Sequence, residues 1–163
     1  MLTLNSLDSK GFLTRSNFDI NRVIKDTAAT FEGTCNAKDI VLDLTFAADI
    51  QMVYADLGKI QQVLYNLIDN AIKFSRENSV IYIQTSLKYE KVFVSVKDTG
   101  IGIPAADRER VFERFYRVDK SRSKQIGGTG LGLSIVKHGA MFHHARVSLE
   151  SEPNKGTTVR VTF

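Results

Sequence analysis

Two β-rich runs with a single residue between them constrain this fold more than any other feature of the sequence. Residues 80–89 read VIYIQTSLKY and residues 91–98 read KVFVSVKD. So short a connection can join two strands only as an antiparallel hairpin. The runs RVSLES and TTVRVTF, on either side of a Pro-Asn-Lys-Gly turn, predict a second hairpin at the end of the chain. Residues 40–46 alternate between apolar and polar side chains and predict a further strand, and a shorter strand is predicted around residues 52–54.

Three segments carry apolar residues at helical spacing. Asp19 is a predicted N-cap, and one helix follows it through FDINRVIKDTAATFEGTC. Asp56 is a predicted N-cap for a second helix, which runs to about Phe74 on a regular apolar stripe. The segment LSIVKHGAMF predicts a third helix. Strands and helices therefore segregate into an α+β fold, a two-layer α/β sandwich with helices on one face of a mixed sheet.

Composition and charge exclude several classes of protein. The 163 residues suffice for one domain, and 43% hydrophobic with 25% charged residues is typical of a soluble globular fold. The formal net charge of +4 is small and evenly spread, which argues against a nucleic acid partner. Cys35 is the single cysteine, so a reducing compartment is favoured over a disulfide framework. No apolar run approaches the roughly 18 residues of a membrane span, and the chain is cytoplasmic in character.

The first residues predict a domain boundary. The chain begins MLTLNSLDSKG, in which the apolar residues form a short helical stripe that ends at a glycine. Ten residues are too few for a stable isolated helix. We therefore expect residues 1–11 to be the tail of a preceding helix with its linker, and residues 12–163 to be the folded domain.

A polar stripe runs along the second predicted helix. Asn66, Asn70 and Lys73 lie roughly 110° from the centre of the apolar stripe, at the flank where a helix forms the wall of a cleft. An Asn side-chain oxygen can ligate Mg²⁺, which prefers a few protein oxygens together with phosphates and water. A lysine one turn further can neutralise phosphate oxygens. The alternative is that these residues are only polar side chains at the edge of a helix, without a binding function.

A carboxylate ends the second strand of the first hairpin, in the segment DTGIGIP. Asp98 continues an apolar row of valines by the period-2 rule, so its carboxylate needs a donor. The exocyclic amine of a base in an apolar pocket is one such donor. Gly100 and Gly102 would then let the backbone approach a flat ligand. The alternative is an Asp that only initiates a turn.

A glycine-rich segment, GGTGLGLS at residues 127–134, precedes the third predicted helix. Free N–H groups at such a helix start favour phosphate. The segment is not a Walker A loop, since no GK[ST] follows, and it lacks the register of a dinucleotide fingerprint. The amide stripe, the Asp-Gly-x-Gly turn, a basic loop and this segment, in that order, are a specific combination.

With these four features in this order, the sequence resembles the catalytic ATP-binding domain of sensor histidine kinases. These kinases belong to the superfamily that includes gyrase, Hsp90 and MutL. NLIDNAIKF resembles the N box, DTGIGI the G1 box, FERFYRVD the F box and GGTGLGLSIVKH the G2 box. The resemblance covers about residues 15–163. It implies a Bergerat ATP-binding fold, with about five strands backed by three helices, and it implies ATP and Mg²⁺ as cofactors.

The resemblance also implies roles for individual residues. Asn70 would ligate Mg²⁺, and Asn66 would lie near the phosphates. Lys73 and Arg117 would contact the phosphate chain and, with Asn66, serve catalysis. Asp98 would accept from the adenine amino group. The other implied nucleotide contacts line the pocket or belong to a glycine-hinged lid: Phe74, Gly100, Gly102, Ile103, Tyr116, Gly128, Thr129, Gly130, Leu131, Gly132 and Leu133.

The implied function is phosphoryl transfer from ATP to a histidine. The family's phosphoacceptor motif is absent, and the three histidines all lie in or after the third predicted helix. The acceptor is therefore expected on the protein's own dimerisation domain, outside this chain, with a response regulator as the next partner. We expect the chain to be a monomer and its parent to be a membrane-anchored sensor with this part in the cytoplasm.

Two other functions stay open on the resemblance. One is a degenerate nucleotide-binding module that regulates without transferring phosphate, and the other is a gyrase-like or Hsp90-like ATPase. Gyrase-like members carry a Glu at the position of Asn66, where the carboxylate activates water, and an amide cannot take that proton. The usual Gly-Gly after the third helix is replaced by His144-Ala145.

Overall fold

The computed structural model of the chain describes residues 14–103, 136–137, 139–140 and 145–163. Over these residues helices cover one face of a β-sheet, which confirms the α+β two-layer sandwich. The elements in chain order are β1 (Ser16–Asp19), α1 (Ile20–Thr30), α2 (Glu32–Lys38), β2 (Val41–Thr45), β3 (Met52–Ala55), α3 (Leu57–Phe74), β4 (Val80–Lys88), β5 (Lys91–Asp98), β6 (Arg146–Glu152) and β7 (Gly156–Thr162).

The main sheet has five strands in the order β2-β4-β5-β7-β6. Strand β2 is parallel to β4, and the other neighbours are antiparallel, so the sheet is mixed as predicted. Both predicted hairpins are present. The β4–β5 connection turns through Tyr89 and Glu90, both at positive φ (52° and 63°), which matches the twist of a tight hairpin.

Both predicted N-caps form. The Asp19 carboxylate accepts the N–H of Asn21 at 3.0 Å and the N–H of Gln51 at 3.0 Å, so it starts α1 and fastens the approach to β3. Asp56 accepts the N–H of Lys59 at 3.1 Å at the start of α3. Each cap satisfies a donor that a helix N-terminus otherwise leaves without a partner.

The core lies between the buried stripe of α3 and the central strands. It includes Ile68 on α3 and Ile81, Ile83 and Val94 on β4 and β5, all 0% exposed. Their burial removes branched apolar side chains from water, the dominant favourable term in folding. None of the helices in the described part of the chain has the length and apolarity that crossing a bilayer requires.

The structure corrects the first predicted helix, which is not continuous. Helix α1 ends at Thr30, and α2 begins at Glu32. The Phe31 N–H donates to Ala28 O at 3.0 Å, which tightens the last turn, while the Thr27 and Thr30 hydroxyls donate back to carbonyls of α1. Such hydroxyl bonds compete with the helix ladder and disfavour its continuation.

A strand that sequence reasoning missed lies before α1. Strand β1 pairs antiparallel with β3 in a two-stranded sheet of its own. The predicted strand around residues 52–54 is confirmed as β3, but it belongs to this ribbon and not to the main sheet. The predicted boundary at residues 1–11 lies outside the described residues.

The third predicted helix is described in part. Residues 136, 137, 139 and 140 are helical, and Val136 and Ala140 are buried in the core. A Cβ on Gly139 would lie 2.5 Å from the Cγ2 of Val63, so this helix approaches α3 closely. The Ala145 N–H donates to Ala140 O at 2.8 Å. His144 lies outside the described residues.

Candidate functional site

The polar stripe of α3 lies at the flank of the helix, where sequence reasoning expected it. The apolar stripe turns into the core and leaves Asn66, Asn70 and Lys73 half-buried. Asn66 Nδ2 donates to Gln62 O at 2.8 Å. The side chain of Asn70 makes no hydrogen bond to any described residue, so its oxygen keeps its capacity for a ligand or cation.

Lys73 carries an ion pair on the same flank. Its ammonium lies 2.9 Å from Asp69 Oδ2, and both side chains are about a third exposed, at 32% and 28%. Such an i,i+4 pair on a surface contributes only about 0.3–0.5 kcal/mol. The pair orients Lys73 along the flank and is weak enough to yield to a phosphate.

The turn after β5 lies against the end of α3. The Ile101 N–H donates to Phe74 O at 3.3 Å. A Cβ on Gly100 would lie 2.0 Å from the same oxygen, so only a glycine permits this approach. The structure therefore brings the predicted glycine turn to the end of the helix that carries Asn70 and Lys73.

Asp98 is the buried carboxylate of the site, at 5% exposure. It continues the buried row of Val92, Val94 and Val96, as the alternation of β5 predicts. Its Oδ1 accepts the Gly100 N–H at 2.9 Å, and a backbone hydrogen bond from Thr157 reaches the same carboxylate.

Burial raises the pKa of the Asp98 carboxyl above 3.8, and the two backbone hydrogen bonds only partly oppose that shift. The backbone thus supplies some of the donors that sequence reasoning assigned to a ligand. A carboxylate can accept about four hydrogen bonds, so two backbone donors leave room for a ligand amine.

The β6–β7 hairpin holds the glycine turn from the other side. Gly102 has a φ of 70°, and a Cβ there would lie 1.9 Å from Glu152 O. The Ile103 N–H donates to Ser151 Oγ at 2.7 Å, and the Asn154 N–H donates to Ile101 O at 2.7 Å. Residues at the end of β6 and in the β6–β7 turn therefore fix the position of the glycine turn.

Sequence reasoning missed Ser151 and Thr157. Thr157 lies directly opposite Asp98 in the register of β5 and β7, and Ser151 lies opposite Thr157 in the register of β6 and β7. A signal was present: Thr157 continues the buried row of Val159 and Val161 by the period-2 rule that singled out Asp98.

The described residues contain no group of three or more His, Cys, Asp or Glu side chains that could hold a metal ion. A cation at this site would take the amide oxygen of Asn70 together with phosphate oxygens of a ligand. This donor set suits Mg²⁺, which keeps few protein ligands, and not Zn²⁺.

A family model matches this chain over residues 55–163: the histidine kinase-, DNA gyrase B- and HSP90-like ATPases. The chain belongs to this family. The sensor histidine kinase WalK of Bacillus subtilis (strain 168) is 46% identical over 113 residues, which cover 68% of this chain and 18% of WalK. The signal transduction histidine-protein kinase ArlS of Staphylococcus aureus (strain USA300) is 45% identical over 103 residues, 63% of this chain and 23% of ArlS. This chain therefore spans about a fifth of the length of these two relatives.

Solved members of the family share the fold. The catalytic domain of the histidine kinase ThkA superposes with a TM-score of 0.82 at 30% identity, covering 93% of this chain and 95% of that domain. Full-length ShkA in complex with AMPPNP gives 0.83 at 26% identity, over 96% of this chain and 32% of ShkA. ThkA in complex with the response regulator protein TrrA gives 0.75 at 28% identity, over 91% of this chain and 41% of that chain.

Within the family, these relatives and this fold identify the chain as an ATP-binding catalytic domain of the histidine kinase type. The structure brings together the predicted residues of α3 and of the turn after β5. The remaining predicted site residues lie outside the described residues: Tyr116, Arg117, Gly128, Thr129, Gly130, Leu131, Gly132 and Leu133.

Proposed function

We propose that this chain binds ATP with Mg²⁺ and transfers the γ-phosphoryl group to a histidine on a dimerisation domain outside the chain. The supporting observation is the contact between the turn after β5 and the end of α3. Through it, the turn that follows the buried Asp98 contacts the C-terminal end of α3, the helix that carries Asn70 and Lys73. An acceptor for a base amine and a set of phosphate-binding side chains then face one ligand. The AMPPNP complex of ShkA supports an adenine nucleotide as that ligand.

Each residue has a definite part in binding. The Asp98 carboxylate accepts from the exocyclic amine of adenine, and Gly100 and Gly102 let the adjoining turn pack against Phe74 O and Glu152 O. The oxygen of Asn70 would ligate Mg²⁺, which when bound would neutralise charge on the phosphate oxygens. Lys73 exchanges Asp69 for a phosphate oxygen. Because the transition state of phosphoryl transfer is loose, position and charge neutralisation are the main contributions of such a site.

Asn66 favours transfer over hydrolysis. It occupies the place of the water-activating Glu in gyrase-like members, and its amide nitrogen already donates to Gln62 O. An amide cannot accept a proton from water. ATP therefore stays largely intact at this site until an imidazole from another domain attacks the γ-phosphorus.

The partners follow from this reaction. The first is the protein's own dimerisation domain with the acceptor histidine, and the second is a response regulator, which the complex of ThkA with TrrA supports. The cytoplasmic location within a membrane-anchored sensor and the monomeric state of this chain stay predictions.

The test combines binding with transfer. We expect the isolated chain to bind ATP in a Mg²⁺-dependent way by calorimetry and to form no acid-labile phosphohistidine alone. Adding a histidine-bearing dimerisation domain taken from a relative such as WalK should produce phosphohistidine on the added domain. Asp98→Asn should weaken ATP binding by about 1–3 kcal/mol, the cost of mispairing a buried group.

Three results would each contradict the proposed function or favour one of the alternatives. Phosphohistidine on the isolated chain would contradict transfer to another domain. Rapid ATP hydrolysis without an acceptor would favour the gyrase-like alternative. Tight ATP binding with no transfer to any acceptor domain would favour the regulatory module.

A further inference from the structure

Three polar side chains form a row across the sheet at the edge of the nucleotide site. Thr157 on β7 is the register partner of both Ser151 on β6 and Asp98 on β5. The next row towards the core is apolar, with Val159 of β7 opposite Val96 of β5. The polar row therefore lies at the end of the sheet face that packs against the helices, next to the glycine turn.

Only one assignment makes all three contacts of the Ser151 hydroxyl hydrogen bonds at the same time. This side chain belongs to a residue with 6% exposure, and its Oγ lies within hydrogen-bond distance of three groups. Ile103 N–H lies at 2.7 Å and can only donate, while Gly156 O lies at 3.0 Å and can only accept. The Thr157 Oγ1 at 2.8 Å can do either. In this assignment the single Ser151 proton goes to Gly156 O, so the Thr157 hydroxyl donates to Ser151.

This assignment fixes what Thr157 offers to any further partner. Its one proton is engaged by Ser151, so its oxygen presents only lone pairs, and the carboxylate of Asp98 beside it also only accepts in its ionised form. Two adjacent acceptors favour a ligand edge that carries an amine and disfavour an edge that carries a carbonyl. A buried donor or acceptor without a partner weakens binding strongly.

We propose that Ser151 is a positioning residue for base selectivity: it holds the Thr157 hydroxyl as an acceptor and anchors the backbone at Ile103. This proposal rests on the proposed function, since it concerns how the same site selects adenine. Without the Ser151 hydroxyl, the Thr157 hydroxyl is free to rotate and donate to a carbonyl.

The experiment compares ATP with inosine triphosphate, which carries a carbonyl in place of the amine. We expect Ser151→Ala to reduce the ratio of the ATP affinity to the inosine triphosphate affinity about tenfold, equivalent to about 1.4 kcal/mol. Ser148→Ala is the matched control, because Ser148 is exposed on the same strand, and it should leave the ratio unchanged. Ser151→Thr keeps the hydroxyl and should retain the wild-type preference.

The ratio of affinities separates positioning from mere stability. A loss of folding stability alone lowers both affinities together, and thermal unfolding of each variant without nucleotide measures that part. If Ser151→Ala does not fold, Ser151→Cys takes its place, because a thiol is of similar size and a poor hydrogen-bond partner. An unchanged ratio in a folded variant without the hydroxyl would overturn the proposal. If the wild-type chain binds no ATP, the proposed function itself fails and this inference falls with it.

Discussion

The side-chain ammonium of Lys38 donates to the carbonyl oxygen of Ile72 at 2.8 Å. The same nitrogen reaches Ser75 O at 3.2 Å. Lys38 ends α2, and the two carbonyls belong to the last turn and the C-cap of α3. A cation at a helix C-terminus satisfies carbonyls that lack helical partners and interacts favourably with the helix dipole. Helix α2, short as it is, thus fastens the end of the helix that carries Lys73.

We predict that Lys38→Met lowers the free energy of unfolding by about 1–2 kcal/mol, because it leaves two carbonyls without their charged donor. The methionine keeps most of the aliphatic length, so packing changes little. Urea denaturation measures the effect. Lys88→Met, on the exposed end of β4, is the control and should change the free energy by less than about 0.5 kcal/mol. Equal effects of the two substitutions would show that the Lys38 contact contributes no stability.

The elements that the sequence predicted correctly are those with a local signal. Asp19 and Asp56 mark helix starts through contacts two and three residues away. The alternation of β5 is sufficient to place Asp98 in the buried row. Both hairpins follow from their short connections.

What the sequence did not predict depends on contacts between distant residues. Strand β1 has four residues, too few for a clear alternation, and it exists because β3 pairs with it. Lys38 and Ile72 are 34 residues apart, and Ile103 and Ser151 are 48 apart. No local pattern specifies such partners, so their roles become visible only in the folded structure.

The side-chain amide of Asn70 is the predicted protein ligand of Mg²⁺, and its removal tests that role. We expect Asn70→Ala to lower ATP affinity in Mg²⁺ about tenfold or more, to the affinity measured in the presence of EDTA. Since the Asn70 side chain makes no hydrogen bond to a described residue, its loss should leave the unfolding temperature nearly unchanged. Gln61→Ala, at an exposed position of the same helix, is the control and should keep the Mg²⁺ dependence. A Mg²⁺ dependence that survives Asn70→Ala would remove Asn70 as the ligand. Titration calorimetry with and without the metal measures both.

The raised pKa of Asp98 gives a prediction on stability against pH. A folded-state pKa above the unfolded value means that the folded chain holds its proton more tightly. The resulting stabilisation is complete below pH 3.8 and is lost as the pH rises through the raised pKa of Asp98. We therefore expect the contribution of Asp98 to the free energy of unfolding, measured without nucleotide, to fall as the pH rises through this window.

Asp98→Asn should remove that contribution, because the amide does not titrate. Asp43→Asn, at an exposed position of β2, is the matched control and should keep it. Chemical denaturation at a series of pH values, starting near the usual pKa of Asp, measures the difference between the two curves. Identical curves for wild type and Asp98→Asn would mean that Asp98 titrates alike in the folded and unfolded chain.

Gly100 and Gly33 give a pair of Gly→Ala substitutions with opposite expected signs. A Cβ at Gly100 collides with backbone, the carbonyl of Phe74, which cannot move without displacing the end of α3. We expect Gly100→Ala to cost about 2 kcal/mol or more of folding stability and to weaken ATP binding, because it separates the glycine turn from the helix. Gly33 has nothing within 4 Å of its added Cβ and lies in α2, so Gly33→Ala should stabilise by about 0.5–1 kcal/mol. Denaturation and nucleotide titration of both variants test the assignment, and a Gly100→Ala variant as stable and as tightly binding as Gly33→Ala would refute the close approach between turn and helix.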